Sequence, residues 1–357
     1  MIFIVRITVK IFKVLRQFFK PKLISALFLN TFIVTSVNAL ELEKYPRLQE
    51  SVAPLIQNKI YTQAELNKIF STVTLREEVV KKKANSAESK LTWGGGYRPG
   101  GYKGIFIQPE RIQLGVEFWN THKALLDRAD QQLGLEPHMI IAIIGVETKF
   151  GANKGKHSVL ESIATFANRG SKLQFNQLPI FLKLVKQGDL SIDAKGSYSG
   201  AMGIPQFISS SYRDFGIDFD EDNKVDLISN NADAIGSVAN YFKEHYWQKG
   251  EQVLLPIEAK SNSAAKQLSK MAVKRVNSRS KPKTTLAEVS PLLKQMPRNV
   301  LVNTPVSVFE FLDANDRAEY FLGLHNFYVI MKYNHSYLYA RAVYDLSNDI
   351  LQAYENQ

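Results

Sequence analysis

The segment Pro137-His-Met-Ile-Ile-Ala-Ile-Ile-Gly-Val-Glu147-Thr-Lys-Phe-Gly151 decides the fold class. Proline is favoured in the first turn of a helix, where its missing N–H has no partner to lose, so Pro137 marks a start. From Met139 to Val146 every residue is apolar or glycine, with no polar stripe at helical spacing. A helix of that kind offers no face to water and has to be enclosed by other elements. Glu147 follows directly. A carboxyl group at the end of a buried apolar helix is desolvated, which penalises its charged form and raises its pKa. That suits a general acid working near neutral pH. The bland alternative is a helix-end glutamate neutralised by Lys149 or by an arginine.

The elements around this helix read as helices too. Over residues 111–133 apolar side chains recur at helical spacing (Leu114, Phe118, Leu125, Leu126, Ala129, Leu133), and Gly134 is placed to end that run. Residues 233–246 carry Ile235, Val238, Ala239 and Phe242 on one stripe, and residues 337–354 form a C-terminal helix. Thr62 and Glu65 have the spacing of a capping box and predict a helix over 62–80, followed by a polar loop over 81–90. Residues 93–104 hold six glycines and three aromatics, which is loop composition. No Lys-Ser/Thr pair closes that loop and no strand precedes it, so a phosphate cradle is not expected. Strand-like stretches are short: 252–257, 299–311 and 327–331. The tract 260–285, rich in Lys, Ser and Ala and without aromatics, reads as an accessory lobe or insertion. The expected class is mainly α (α+β), with a small β component.

The chain has 357 residues and a net charge of +11. Its first residues run in the order of an export signal: Arg6, Lys10, Lys13, Arg16, Lys20 and Lys22, then the apolar run 23–37, then small residues up to Ala39. Cleavage is expected after Ala39; the alternative is an uncleaved inner-membrane anchor. Removing the six basic residues of the signal leaves +5, a balance that suits an anionic polymer or equally one that only keeps the protein soluble. Export weighs against nucleic acid as that polymer. There is no cysteine, which excludes disulfides, thiolate catalysis, cysteine zinc sites and lipid attachment through an N-terminal cysteine.

Three further segments carry chemistry. In 196–207, Gly-Ser-Tyr-Ser-Gly-Ala-Met-Gly-Ile-Pro-Gln-Phe, small residues let the backbone approach a ligand, while Ser197, Tyr198 and Gln206 offer hydrogen-bonding groups that stay neutral near pH 7. That combination suits sugar hydroxyls and N-acetyl groups; the plain alternative is a turn into the next helix. In 218–226, Asp218, Asp220, Asp222 and Asp226 occupy positions 1, 3, 5 and 9 of a calcium loop. Asn223 stands where glycine is usual and Ser229 where a bidentate glutamate is expected, so Asp233 is the candidate to close the site; the plain alternative is a solvated acidic loop. In 323–337, Tyr328, Tyr333, Asn334 and Tyr337 offer rings and an amide to a sugar, or equally a strand entering a helix with Asn334 as its cap. His325 and His335 have no third ligand nearby, so zinc is not expected there.

Together these segments closely resemble the lytic murein transglycosylase B family. The matching motifs are Gly-Val-Glu147-Thr, Gly-Ala-Met-Gly with Gln206-Phe, the acidic loop, Asp-Ala-Ile-Gly-Ser-Val-Ala-Asn-Tyr-Phe at 233–242, and Asn-Phe-Tyr with Tyr-Asn-His-Ser at 326–336. The resemblance covers 113–357 apart from a weakly matching stretch near 250–310. It implies a lysozyme-like helical core with accessory α and small β lobes around a glycan cleft. With the export signal read at 1–39, the expected division is a catalytic domain, 40–357, whose core is 110–250 and 318–357 with an accessory insertion at 251–317. The resemblance also implies that Glu147 is the acid/base, that Ser197 and Gln206 contact substrate near the cleaved bond, and that Tyr241, Tyr333 and Asn334 line the cleft. A structural Ca2+ or Na+ would sit on Asp218, Asp220, Asp222 and the Lys224 carbonyl. No organic cofactor is implied. Three departures stand out: there is no lipid-attachment cysteine, Lys149-Phe150-Gly151 replaces the common Arg-Trp-Gly, and Pro205 precedes Gln206 where glycine is frequent.

The activity so implied is cleavage of the β-1,4 bond between N-acetylmuramic acid and N-acetylglucosamine, with closure of a 1,6-anhydro ring and no water consumed. A hydrolase would need a second carboxylate roughly 5 to 9.5 Å from the first; Glu161 and Asp193 are the candidates for such a muramidase. A non-catalytic peptidoglycan-binding protein is the other alternative. The expected partners are peptidoglycan glycan strands and other cell-wall synthesis or division proteins, with no nucleic acid, for a monomer exported to the periplasm.

Overall fold

The structure, a computed structural model, describes residues 40–76, 91–95, 100–277 and 280–357. The expected export signal and the polar tract 81–90 lie outside them. In chain order the first elements are α1 (Pro46–Gln57), α2 (Gln63–Phe70), α3 (Lys103–Phe106), α4 (Pro109–Leu133) and α5 (Pro137–Thr148). Next come β1 (His157–Ser158), α6 (Val159–Asn168), α7 (Lys172–Gln187), β2 (Lys195–Gly196), α8 (Ser209–Phe215) and α9 (Asn231–Glu244). The chain ends with β3 (Leu254–Ile257), α10 (Asn262–Met271), β4 (Thr284–Thr285), α11 (Leu286–Val289), β5 (Pro305–Leu312), β6 (Ala318–Gly323), α12 (His325–Tyr333) and α13 (Tyr337–Glu355). The protein is mainly helical, with small sheets.

The all-apolar sequence of α5 is explained by its surroundings. Its residues from Met139 to Val146 are buried, and α4, α9 and α13 pack around it. Pro137 is in its first turn, and Lys149, in the left-handed region (φ 50°), stops it. Phe150, also left-handed (φ 59°), folds its ring back over the helix. A Cβ on Gly145 would meet that ring at 2.8 Å, so the glycine in Ile-Gly-Val-Glu is where Phe150 seats. Helix α4 ends at Gly134 in the left-handed conformation (φ 73°), as its position predicts. The Thr62–Glu65 capping box forms, but α2 ends at Phe70, ten residues short of the expected boundary.

The four-stranded antiparallel sheet has the order β3-β6-β5-β4, with Val308 opposite Leu322 and Phe309 opposite Phe321. Strand side chains alternate between faces. Phe309 and Phe311 therefore join the main hydrophobic cluster, while Val306 and Val308 join a second cluster with Leu268, Leu286 and Val289 from α10 and α11. The sheet thus has one face on the helical body and the other under its own helical layer.

One expected strand is a helix. Residues 327–331 lie inside α12, because a five-residue apolar run between polar neighbours fits a buried helix as well as a strand. Strand β6 is not among the expected strands: its apolar part is only Tyr320–Leu322, and its first residues, Ala318 and Glu319, are exposed. Among the described residues no helix is long and apolar enough to cross a membrane.

Candidate active site

Glu147 sits in the last turn of α5, partly buried, and its pKa is pushed up to about 7 by burial. Lys149 does not neutralise it, since Lys149 pairs with Glu110 at 2.8 Å, and no arginine pairs with Glu147 among the described residues. The partner of Glu147 is Tyr339, whose hydroxyl donates to Oε1 at 2.6 Å and by itself draws the carboxyl pKa down. No second carboxylate among the described residues contributes to the Glu147 shift. Glu161, a candidate for that role, is engaged by Arg76 at 2.5 Å, and Asp193 is exposed.

Tyr339 is 2% exposed and lies in the first turn of α13, whose N-cap is Ser336. Burial, and then the charge of Glu147, holds its hydroxyl pKa well above the phenol range, as they do for Tyr333. Both phenols therefore stay protonated at neutral pH and can only donate or accept hydrogen bonds. The Tyr333 hydroxyl donates to the Pro205 carbonyl at 2.6 Å, and its ring lies edge-on to Tyr241, with centroids 4.8 Å apart. Phe207 touches both rings.

The loop after β2 reaches this cluster through Thr148. The Thr148 hydroxyl, next to Glu147, donates to the Ile204 carbonyl at 2.9 Å and accepts from the Gly151 N–H at 3.0 Å. Gln206 is left-handed (φ 51°), and its amide donates to the carbonyls of Gly203, 2.8 Å, and Lys154, 3.2 Å. Gly203 is also left-handed (φ 76°), and a Cβ there would collide with the Leu227 carbonyl. Ser197 lies at the far end of the loop, where its hydroxyl accepts from Ala201 N–H at 3.0 Å; Tyr198 beside it is partly buried. Asn334 is exposed immediately after α12. Hydrogen bonds and ring contacts therefore link Glu147, Tyr339, Tyr333, Tyr241 and the Gln206 turn. Tyr339 was not picked out by the sequence reading. Its signal was an aromatic hydroxyl on the same helical stripe as Val343 and Leu346, where burial demands a partner.

The acidic loop lies between α8 and α9. One ligand atom from each of Asp218, Asp220 and Asp222 falls within 4.8 Å of the others. Asn223 takes the left-handed conformation (φ 72°), and the N–H groups of Asp222 and Asn223 bond to Asp218. Asp233 does not stand with these three. It is fully buried, and its two oxygens accept the N–H groups of Phe219 and Asp226, each at 2.7 Å, so it ties the two ends of the loop from behind. Ser229 donates to Asp226 at 2.5 Å.

The chain matches the transglycosylase SLT domain over residues 44–348. It belongs to that family. The match takes in Glu147, the Gly203–Gln206 turn, the acidic loop and Tyr339. Among relatives, the membrane-bound lytic murein transglycosylase B of Escherichia coli (strain K12) is 33% identical over 315 residues, covering 86% of this chain and 83% of its own. Among solved structures, the catenated lytic transglycosylase SltB1 of Pseudomonas aeruginosa has a TM-score of 0.77 at 33% identity, covering 87% of this chain and 98% of that one. The Escherichia coli lytic transglycosylase Slt35, solved in complex with calcium, has a TM-score of 0.74 at 30% identity over 89% of this chain and 97% of its own.

Proposed function

We propose that this peptidoglycan lytic transglycosylase cuts glycan strands with Glu147 as its single acid/base. The observation that carries the reading is a carboxyl group at the end of a buried apolar helix, hydrogen-bonded to one tyrosine, whose pKa burial raises and whose ionisation no second acid among the described residues perturbs. Because the Tyr339 hydroxyl occupies Oε1, the transferable proton belongs on Oε2. Glu147 gives that proton to the glycosidic oxygen between N-acetylmuramic acid and N-acetylglucosamine as the C1–O bond breaks, and the substrate's acetamido group supports the charge at C1. The resulting carboxylate is held by the Tyr339 hydrogen bond, since a donor to the charged form favours it. It then takes the proton of the C6 hydroxyl as that oxygen bonds to C1, closing the 1,6-anhydro ring and restoring neutral Glu147. Ser197, Tyr198, Gln206, Tyr241, Tyr333 and Asn334 are the residues proposed to bind the glycan.

The same reading takes residues 1–39 as a cleaved export signal and the periplasm as the site of action. It takes 40–357 as one catalytic domain, with the insertion 251–317 as an accessory lobe. The cluster of Asp218, Asp220 and Asp222 fits a hard cation that prefers oxygen ligands. We assign it, with the Lys224 carbonyl, to a structural Ca2+, with Asp233 supporting the loop. A bound Ca2+ would offset two of the three negative charges and take no part in the chemistry. Partners other than the glycan strand are expected among cell-wall synthesis and division proteins, and the protein is expected to be a monomer.

The deciding experiment is mass spectrometry of the muropeptides released from purified peptidoglycan by the chain from Leu40 onward and by its Glu147→Gln variant. Products lighter than hydrolysis products by one water, absent with the variant, are expected. Reducing-end products would replace this mechanism with hydrolysis, and unchanged lysis by the variant would remove Glu147 from it.

A further inference from the structure

The charge of this protein is unevenly placed. Residues 258–300 hold ten Lys and Arg against two Glu, a net +8. Of the whole-chain +11, six positive charges fall within 1–39, so the rest of the chain beyond residue 39 carries −3. The described part of the basic segment forms the layer that covers the outer face of the sheet: α10, α11 and the turn after it. Its apolar residues Leu268, Leu286 and Val289 point into the second cluster, which leaves its charges outward. Lys260, Lys266, Lys270, Arg275, Lys281 and Arg298 are exposed, and none of them makes an ion pair among the described residues. Neither the catalytic cluster nor the acidic loop draws on any of them.

The same layer ends in the loop 296–302, Met-Pro-Arg-Asn-Val-Leu-Val. Leu301 is 81% exposed, Val302 54% and Met296 46%, and they account for three of the five large hydrophobic residues most exposed among the described residues. The loop is tied to the basic layer, since the Val302 carbonyl accepts the Ala287 N–H at 2.7 Å. Aliphatic side chains presented beside unpaired Lys and Arg complement a surface with an anionic outer layer and an apolar interior. A glycan would instead be met by aromatic rings, and residues 258–302 contain none.

We infer that the outer face of the β lobe is a docking surface for an anionic lipid bilayer, with Leu301, Val302 and Met296 entering the headgroup boundary and the lysines of α10 lying over it. The surface is distinct from the catalytic cluster and its test does not depend on the reaction. Membrane contact of this kind needs neither a lipid-bearing cysteine nor a spanning helix, and it would hold the enzyme beside the membrane.

The chain from Leu40 onward, where the described hydrophobic cluster begins, is sedimented with vesicles of phosphatidylglycerol and phosphatidylcholine, and with pure phosphatidylcholine vesicles, at low and high salt. Three variants are run beside it: Lys266→Glu/Lys270→Glu, Leu301→Ser/Val302→Ser, and, as a control on the acidic body, Lys59→Glu/Lys68→Glu. Binding to the anionic vesicles is expected, falling with salt. It should weaken by about 30-fold or more in the first variant, at roughly fivefold per basic residue at an anionic surface, and also in the second, while the control and the release of soluble muropeptides stay unchanged. Thermal melting of each variant identifies any that fails to fold, and Lys266→Gln/Lys270→Gln then replaces it. No binding of the parent chain to anionic vesicles would overturn the inference. So would binding equally strong in the lobe variants, or a lobe that grips isolated peptidoglycan and ignores lipid.

Discussion

Glu147 is a carboxyl that the fold holds protonated, and both its chemistry and its effect on stability depend on that. Its pKa moves from 4.5 to about 7, with burial as the cause. A carboxyl whose folded pKa lies above its unfolded value stabilises the fold fully below the unfolded pKa and loses that contribution as pH rises through the folded one. At one pKa unit per 1.36 kcal/mol, the loss has an upper bound of about 3 kcal/mol, lessened by the partial exposure of Glu147. Glu147→Gln should therefore be more stable than the parent above pH 7 and no more stable below pH 4.5, a crossover that urea denaturation at two pH values would reveal. For catalysis, kcat/KM should fall with a single limb near pH 7 and show no acid limb from a second carboxylate. Tyr339→Phe removes the donor at Oε1 that favours the carboxylate, so the limb should move to higher pH while kcat drops about tenfold, the worth of one hydrogen bond to a charged group. A residue that merely filled space would lower kcat and leave the limb in place.

At the scale of elements, the acidic loop shows what a spacing pattern does and does not fix. Positions 218, 220 and 222 converge as a calcium-loop spacing implies, and Asn223 adopts the left-handed turn in place of glycine. Spacing alone makes Asp233 a candidate closing ligand; its burial and its two bonds to backbone N–H groups follow from the position of α9, which residues 218–229 do not encode. If the three carboxylates hold a cation, adding chelator should lower the melting temperature, and Asp220→Asn/Asp222→Asn should lower it without a further response to chelator, while turnover per folded molecule stays constant. An unchanged melting temperature on chelation would leave the loop as a solvated turn. Legibility elsewhere followed length and composition. Helix α5 was legible because an eight-residue run without a polar face has few other solutions, and Pro137 marks its start. Helix α12 was misread because its apolar run is short, and Tyr339 was overlooked because its partner is 192 residues away in sequence.

At the scale of the whole molecule, one side chain joins the sheet to the helical body. Arg341, 8% exposed on α13 two residues beyond Tyr339, has its guanidinium 4.4 Å from the Trp93 ring centroid, 4.5 Å from that of Phe311 and 4.4 Å from that of Phe321. It also bonds Glu319 on β6 at 3.2 Å and Asp345 on its own helix at 3.4 Å. Three parts of the chain, the loop at Trp93, the inner face of the sheet and the helix that carries Tyr339, thus share one cation. Cation–π contacts strengthen when desolvated, and a buried pair that loses one partner leaves the other charge uncompensated. Arg341→Met keeps most of the volume but strands Asp345, whose pKa burial already raises against the pull of Arg341. The expected loss is about 3 kcal/mol of stability, read as a lower urea midpoint. Because the second hydrophobic cluster has its own packing under α10 and α11, the lobe should remain folded while its attachment loosens. Trypsin should then cut between β3 and β6 before muropeptide release declines, whereas simultaneous loss of both would mean that lobe and body unfold as one unit and that Arg341 is an ordinary member of a single core.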